Sequence, residues 1–134
     1  MAQQFLCSMG ANLAPEKNFA LARQQLDALG TVTYSLADYT QPVAIETDHE
    51  FLNALFVIAT DLDAIALKQQ FNRIEEQLGR DRSDPLSSQK DRPMDIDILA
   101  NILQEPWPEL PDYLTPMAND IRRRLSAVTD QELS

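Results

Sequence analysis

The chain has 134 residues, 44% of them hydrophobic, and 21 acidic against 11 basic side chains leave a formal charge of −10. That length supports one domain with a substantial core and is too short for two ordinary ones, so a single domain over residues 1–134 is expected. The charge argues against a nucleic-acid or anionic-membrane partner, because both need a broad cationic face, and any anionic ligand must be met locally.

In chain order, MAQQFLCSMG lacks a basic region followed by a long apolar run, and no stretch approaches the length of a membrane span. A soluble, unexported, cytoplasmic protein is expected. Phe5, Cys7 and Met9 alternate with residues of the opposite face, which predicts a first strand ending at Gly10. Cys7 is the lone cysteine and reads as a small buried hydrophobe. From Pro15 to Gly30, Phe19, Ala22, Leu26 and Leu29 recur at helical spacing. Thr31 to Tyr39 reads as a strand with Val32, Tyr34 and Leu36 on one face, and Phe51 to Thr60 is apolar on both faces, as a covered central strand would be. These two strands are expected to pair. Asp61 to Leu78 carries Leu67, Phe71, Ile74 and Leu78 on one stripe and stops at Gly79, which predicts a second amphipathic helix.

Residues 91–99, DRPMDIDIL, supply the next strand. Alternation puts Asp95 and Asp97 on one face and Met94, Ile96 and Ile98 on the other, so one face is core and the other a carboxylate pair. Their Cα atoms lie roughly 6.5 Å apart, a separation at which two carboxylates need solvent, a cation or a metal between them. Beyond Leu99, EPWPELPDYLTP is too proline-rich for long regular structure, and a short helix from about Asn119 to Val128 is expected to close the chain. Trp107, between prolines, reads as a packing anchor. The order strand, helix, strand, strand, helix, strand defines an α+β fold of the ferredoxin-like, split βαβ type, an antiparallel sheet with helices packed on one face. Topology alone says nothing about function.

Five of the eleven cations, Arg73, Arg80, Arg82, Lys90 and Arg92, fall in one stretch that leads into the aspartate strand. Arginine offers planar clasps for phosphate oxygens, and paired aspartates with open water positions suit Mg²⁺ shared with a polyphosphate. Together they fit a Mg²⁺-nucleotide site, although composition alone fits a solvated loop beside an exposed strand equally well. Neither GxxxxGK[ST] nor GxGxxG occurs, so no P-loop or Rossmann turn is involved, and MGANL is too weak a glycine signal to use alone. The single histidine, His49 in ETDHE, reads as solvated, and Cys/His metal sites are excluded by count.

At these residues a resemblance becomes specific. R-P-M-D-I-D-I-L resembles the R-x-x-D-[LIV]-D-[LIVM]-[LIVM] signature of the 6-hydroxymethyl-7,8-dihydropterin pyrophosphokinase family of folate biosynthesis. MGANLAPEKN is similar to that family's first strand and turn, FLNALFVI to its Y-L-N-A segment, and NRIEEQLGR to the helix end carrying R-I-E and G-R; the similarity covers roughly residues 3–101. The resemblance implies a diphosphotransferase that moves pyrophosphate from Mg-ATP to the hydroxymethyl group of the pterin, working as a monomer on two small molecules. It implies that Asp95 and Asp97 hold two Mg²⁺ ions and, with Arg82 and Arg92, form the catalytic set. Asn72, Glu75, Arg80, Arg82, Arg92, Ile98 and Tyr113 would line the nucleotide, and Thr40, Pro42, Val43, Phe51 and Asn53 the pterin.

The departures from the family pattern are also definite. Lys90 and Asp91 stand where small residues or Glu are expected before Arg92, and GRDRSDPLSSQKDR lacks the tryptophan that closes over the substrates. Asp112 stands where a phosphate-binding histidine would be, Trp107 falls near an expected arginine, and the R-G-F segment has no counterpart in ANDIRRRL. Arg122, Arg123 and Arg124 could replace a phosphate contact or simply be the solvated end of a helix. Two absent stacking partners, each worth roughly 0.5–1.5 kcal/mol beyond burial, imply pterin binding weakened by about ten- to a hundredfold. The alternatives are a non-catalytic relative that binds nucleotide or pterin, and a ligand-free interaction domain.

Overall fold

A computed structural model describes residues 2–40, 50–80 and 93–133. Its elements are β1 (Gln3–Ala11), α1 (Pro15–Asp27), β2 (Thr31–Tyr34), β3 (Asp38–Thr40), β4 (Phe51–Thr60), α2 (Ala64–Gln77), β5 (Asp95–Asn101), a 3-10 turn at Asp112–Leu114 and α3 (Thr115–Leu133). The strands form one antiparallel sheet in the order β2-β4-β1-β5, with β3 also paired to β4. Each of α1 and α2 therefore joins two strands that have a third strand between them, which is the split βαβ connection expected from the sequence.

Local chemistry explains the helix boundaries. Pro15 opens α1 after Ala14, which takes a left-handed conformation at φ 40°. Asp63 caps α2 by accepting the Ala66 N–H at 2.8 Å, and Gly79, at φ +112°, ends it in a conformation that suits a residue without a side chain. On one face of the sheet, Phe19, Ala22 and Leu26 of α1 and Leu67, Phe71 and Ile74 of α2 pack against Phe5, Cys7, Met9, Phe56, Ile58 and Ile96. Cys7 is fully buried, and burial together with the nearby Asp97 carboxylate pushes its thiol well above its ordinary pKa, so it is a packing residue.

Expectations about the helices and about one strand are corrected. The helices do not all lie on one face: Leu114, Met117, Ala118 and Ile121 cover the opposite face over Leu6, Leu55 and Val57. The apolar residues on both faces of β4 are the physical reason, since a strand of that composition must be covered twice. α3 also starts at Thr115 rather than near Asn119, because Pro116 is compatible with a first helical turn.

The second correction concerns residues 31–39, which do not form one strand. After Tyr34 the chain breaks, the Ser35 hydroxyl accepts the Leu55 N–H at 2.9 Å, and Leu36 crosses to pack in the α3 core instead of joining Val32 and Tyr34. The break is held from α3: Asp120 Oδ2 accepts the Leu36 N–H at 2.7 Å and also bonds Arg124, while Oδ1 bonds Arg123. Trp107 packs into the same core under the Arg122 guanidinium, 4.6 Å from the ring centroid. The three arginines are thus engaged within their own helix region.

Burial alone would raise the Asp120 pKa, but the Leu36 N–H and the two arginines outweigh it and hold the carboxyl below its ordinary value of 3.8. A lowered pKa contributes stability that is present above the ordinary value and lost as pH falls through the folded one. Asp120→Ala should therefore cost about 1–2 kcal/mol at neutral pH, measured by urea unfolding. The gap between variant and wild type should close as the pH is taken below the ordinary carboxylate range, whereas a pH-independent gap would contradict the assignment.

Candidate functional site

Strand register assembles the site. Gly10 of β1 is opposite Asn53 of β4 on one side and Asp95 of β5 on the other, and Asn53 in turn faces Asp38 of β3. One step along β1, Ser8 lies between Leu55 and Asp97. α3 packs over Leu6, Leu55 and Val57. The positions that follow on the same face are therefore Asn53, Gly10, Ser8 and the two aspartates, a polar floor beside an apolar cover.

At one end of this floor is an amide cluster. Asn53 Nδ2 donates to Thr40 Oγ1 and to the Phe51 carbonyl at 3.3 Å, which fixes the side chain and directs Oδ1 toward β1. Phe51 and Asn53 are two residues apart on β4 and share this face. A Cβ added to Gly10 would meet Asn53 Oδ1 at 3.0 Å and Phe51 Cδ1 at 3.8 Å. The absent side chain keeps open the space above β1, which separates Asn53 from Asp95 by two strand spacings, roughly 10 Å.

At the other end is a charged cluster. The Asp95 and Asp97 side chains are 25% and 53% exposed. Arg80 Nη1 donates to Asp95 Oδ1 at 3.0 Å and to Glu75 Oε2 at 3.4 Å. Lys68 Nζ donates to Asp97 Oδ1 at 3.1 Å and to the Ile96 carbonyl at 2.7 Å, while the Ile96 N–H donates to Glu75 Oε2 at 2.7 Å. Two α2 side chains thus hold both backbone polar groups of Ile96 on the edge strand. Among the described residues Arg80 stands beside Asp95 and Lys68 beside Asp97, and the pair is not left to repel.

The expected site residues divide accordingly. The structure brings together Asp95, Asp97, Arg80 and Glu75 at one end, and Thr40, Phe51 and Asn53 at the other. Glu75, expected along the nucleotide, has a fully buried side chain and serves the Ile96 N–H and Arg80. Asn72 lies between Lys68 and Glu75 at i, i+4, i+7 spacing on α2, and Ile98 packs into the helix-side core. Tyr113, 46% exposed on the 3-10 turn, takes no part in these bonds. Arg82, Arg92, Lys90, Pro42, Val43 and His49 lie outside the described residues. Gly10, Ser8 and Lys68 were not expected; the MGANL glycine was visible, but only the register places it at the centre of the floor.

The donor chemistry suits a hard divalent cation. Two partly exposed carboxylates on one face leave coordination positions for water and phosphate oxygens, as Mg²⁺ prefers, and the buried Arg80 Nε has no hydrogen-bond partner among the described residues. No group of three or more His, Cys, Asp or Glu side chains able to hold a metal occurs among those residues, so protein ligands alone would not fill the coordination shell. No helix of the described residues is long and apolar enough to cross a membrane.

An acidic pair with its arginine and, across Gly10, an amide thus lie at one end of the antiparallel sheet of an α+β protein. The sequence model of one family, 7,8-dihydro-6-hydroxymethylpterin-pyrophosphokinase, matches residues 6–119. The chain is also 31% identical over 128 residues to the 2-amino-4-hydroxy-6-hydroxymethyldihydropteridine pyrophosphokinase of two Porphyromonas gingivalis strains, ATCC 33277 and W83, covering 90% of this chain and 87% of each relative. The chain belongs to the 7,8-dihydro-6-hydroxymethylpterin-pyrophosphokinase family.

Gly10→Ala tests the floor. The atom it meets first is Asn53 Oδ1 at 3.0 Å, which must give by a few tenths of an ångström, and the roughly 0.5–1 kcal/mol by which alanine is better than glycine in a strand offsets that shift. Thermal stability should therefore be nearly unchanged while KM for the dihydropterin rises about tenfold, an effect of roughly 1.4 kcal/mol. An unchanged KM would show that the floor above Gly10 is not where the substrate lies.

Proposed function

We propose that the polar end of this sheet face transfers pyrophosphate from Mg-ATP to the hydroxymethyl oxygen of 6-hydroxymethyl-7,8-dihydropterin, a step of folate biosynthesis. The family carries the reaction type, and the observation that carries the site is the row Asn53, Gly10, Asp95 with Asp97 beside it. The hydroxymethyl oxygen attacks the β-phosphorus, the bond between that phosphorus and the bridging oxygen of the α-phosphate breaks, and AMP and a proton are released. The non-catalytic reading is not favoured, because the family and both relatives are named for catalysis.

Each residue has a role suited to its chemistry. With its Nδ2 engaged by Thr40 and the Phe51 carbonyl, Asn53 offers Oδ1 as the acceptor for the pterin ring edge, and Thr40, Phe51, Pro42 and Val43 are the further residues assigned to the pterin. Across the Gly10 floor the hydroxymethyl group is directed toward the aspartates. The family uses ATP with Mg²⁺; here Asp95 and Asp97 would hold the metal, as two ions. When bound, Mg²⁺ neutralises charge on the transferring phosphates and aligns the reacting oxygens. Arg80, Arg82 and Arg92 clasp phosphate oxygens, and Asn72, Ile98 and Tyr113 border the nucleotide. Catalysis in this arrangement is positioning and electrostatic stabilisation. The charge of −10 argues against a nucleic-acid partner, and a cytoplasmic monomer is the form proposed for this reaction.

The test is AMP formation from Mg-ATP with and without the dihydropterin. The wild type should form AMP only with the pterin, and Asp95→Ala and Asp97→Ala should each lower the rate by at least about a hundredfold with the fold retained. A folded wild-type protein that forms no AMP would overturn the catalytic reading, and a fully active Asp95→Ala variant would overturn the site.

A further inference from the structure

Lys68 is a cation that neither the family resemblance nor the reaction just described requires, yet it touches the carboxylate pair directly. Its ammonium is anchored twice, on the Ile96 carbonyl at 2.7 Å and on Asp97 Oδ1 at 3.1 Å. The carbonyl contact matters most. It belongs to an edge strand whose Ile96 N–H is held by Glu75 from the same helix, so β5 and α2 meet at a fixed position. Moving Lys68 away would remove this 2.7 Å bond from the Ile96 carbonyl.

Asp97 therefore carries a counter-cation that is also bonded to the β5 backbone, while remaining 53% exposed. A divalent ion at that carboxylate would sit well within a Debye length, about 8 Å, of the ammonium and be repelled by it. An anionic triphosphate arriving with the ion would cancel that repulsion. Arg80 differs, since its guanidinium is shared between Asp95 and the buried Glu75.

We propose that Lys68 is a positioning residue that holds the Asp97 carboxylate and lowers the affinity of the nucleotide-free site for divalent metal, so that the ion enters with the nucleotide. This rests on the reading of Asp95 and Asp97 as metal-holding residues. By thermodynamic reciprocity, the same charge makes the metal and the nucleotide strengthen each other's binding.

The experiment measures Mn²⁺ binding to the full chain by electron paramagnetic resonance, with and without a non-hydrolysable ATP analogue. It compares wild type with Lys68→Met, Lys68→Gln, Lys68→Arg and the double variant Asp95→Asn, Asp97→Asn, each checked for folding by circular dichroism. For a partly exposed pair, Lys68→Met and Lys68→Gln should tighten Mn²⁺ binding without nucleotide by about three- to tenfold. They should shrink the enhancement by nucleotide by a similar factor, while Lys68→Arg behaves like wild type. A purely structural lysine predicts the opposite sign, because loosening β5 weakens Mn²⁺ binding in both conditions. Unchanged or weaker Mn²⁺ binding in both neutral variants, with the wild type binding normally, would overturn the inference alone. Mn²⁺-nucleotide binding that survives intact in the double aspartate variant would overturn the metal-site reading and the inference with it.

Discussion

The backbone of Ile96 is held at both polar groups by one helix: Glu75 accepts a hydrogen bond from its N–H and Lys68 donates one to its carbonyl. β5 is an edge strand, and an edge strand with an open ladder is free to twist, slip or pair elsewhere. Two α2 side chains seven residues apart remove that freedom at one residue, and the aspartates on either side inherit the result. Because side chains alternate along a strand, fixing Ile96 inward fixes Asp95 and Asp97 outward. The same two helix residues extend the network to the carboxylates, Glu75 through Arg80 to Asp95 and Lys68 directly to Asp97. Fold and site electrostatics therefore share one set of bonds.

A buried carboxylate such as Glu75 is costly unless it is hydrogen-bonded and paired, and here it is both. Its contribution to the fold cannot be separated from its contribution to the site, since removing it would free the Ile96 N–H and release Arg80 together. On the other end of the floor the constraint is steric. Asn53 is oriented by Thr40 and the Phe51 carbonyl, and its oxygen occupies a position that any side chain on β1 would contest. The glycine at position 10 thus leaves room for a ligand between an amide that can read a ring edge and carboxylates that can hold a metal.

Much of this was legible in the sequence because strand and helix periods are local properties. The alternation in DRPMDIDIL separates carboxylates from core without reference to any other segment, and the stripe from Leu67 to Leu78 marks α2 in the same way. What was not legible depends on partners distant in sequence. Leu36 continues the alternation of Val32 and Tyr34 on paper, but Asp120, 84 residues later, takes its N–H and the chain turns over. The length and placement of α3 depend on covering the second face of β4, a demand that the two-sided apolar pattern of FLNALFVIAT states without saying what answers it. Gly10 gains its meaning only from register with Asn53 and Asp95. Lys68 reads as a solvated helix lysine until the helix is docked beside β5.

In the proposed function, Asp95 and Asp97 hold the divalent metal at the phosphate end of the Gly10 floor. The most direct measurement is an anomalous difference map from crystals grown with Mn²⁺, a non-hydrolysable ATP analogue and the dihydropterin. Mn²⁺ density is expected at about 2.2 Å from carboxylate oxygens of both Asp95 and Asp97, on the sheet face that carries Asn53. Mn²⁺ held elsewhere by the nucleotide, with no oxygen of either carboxylate coordinating it, would contradict that reading.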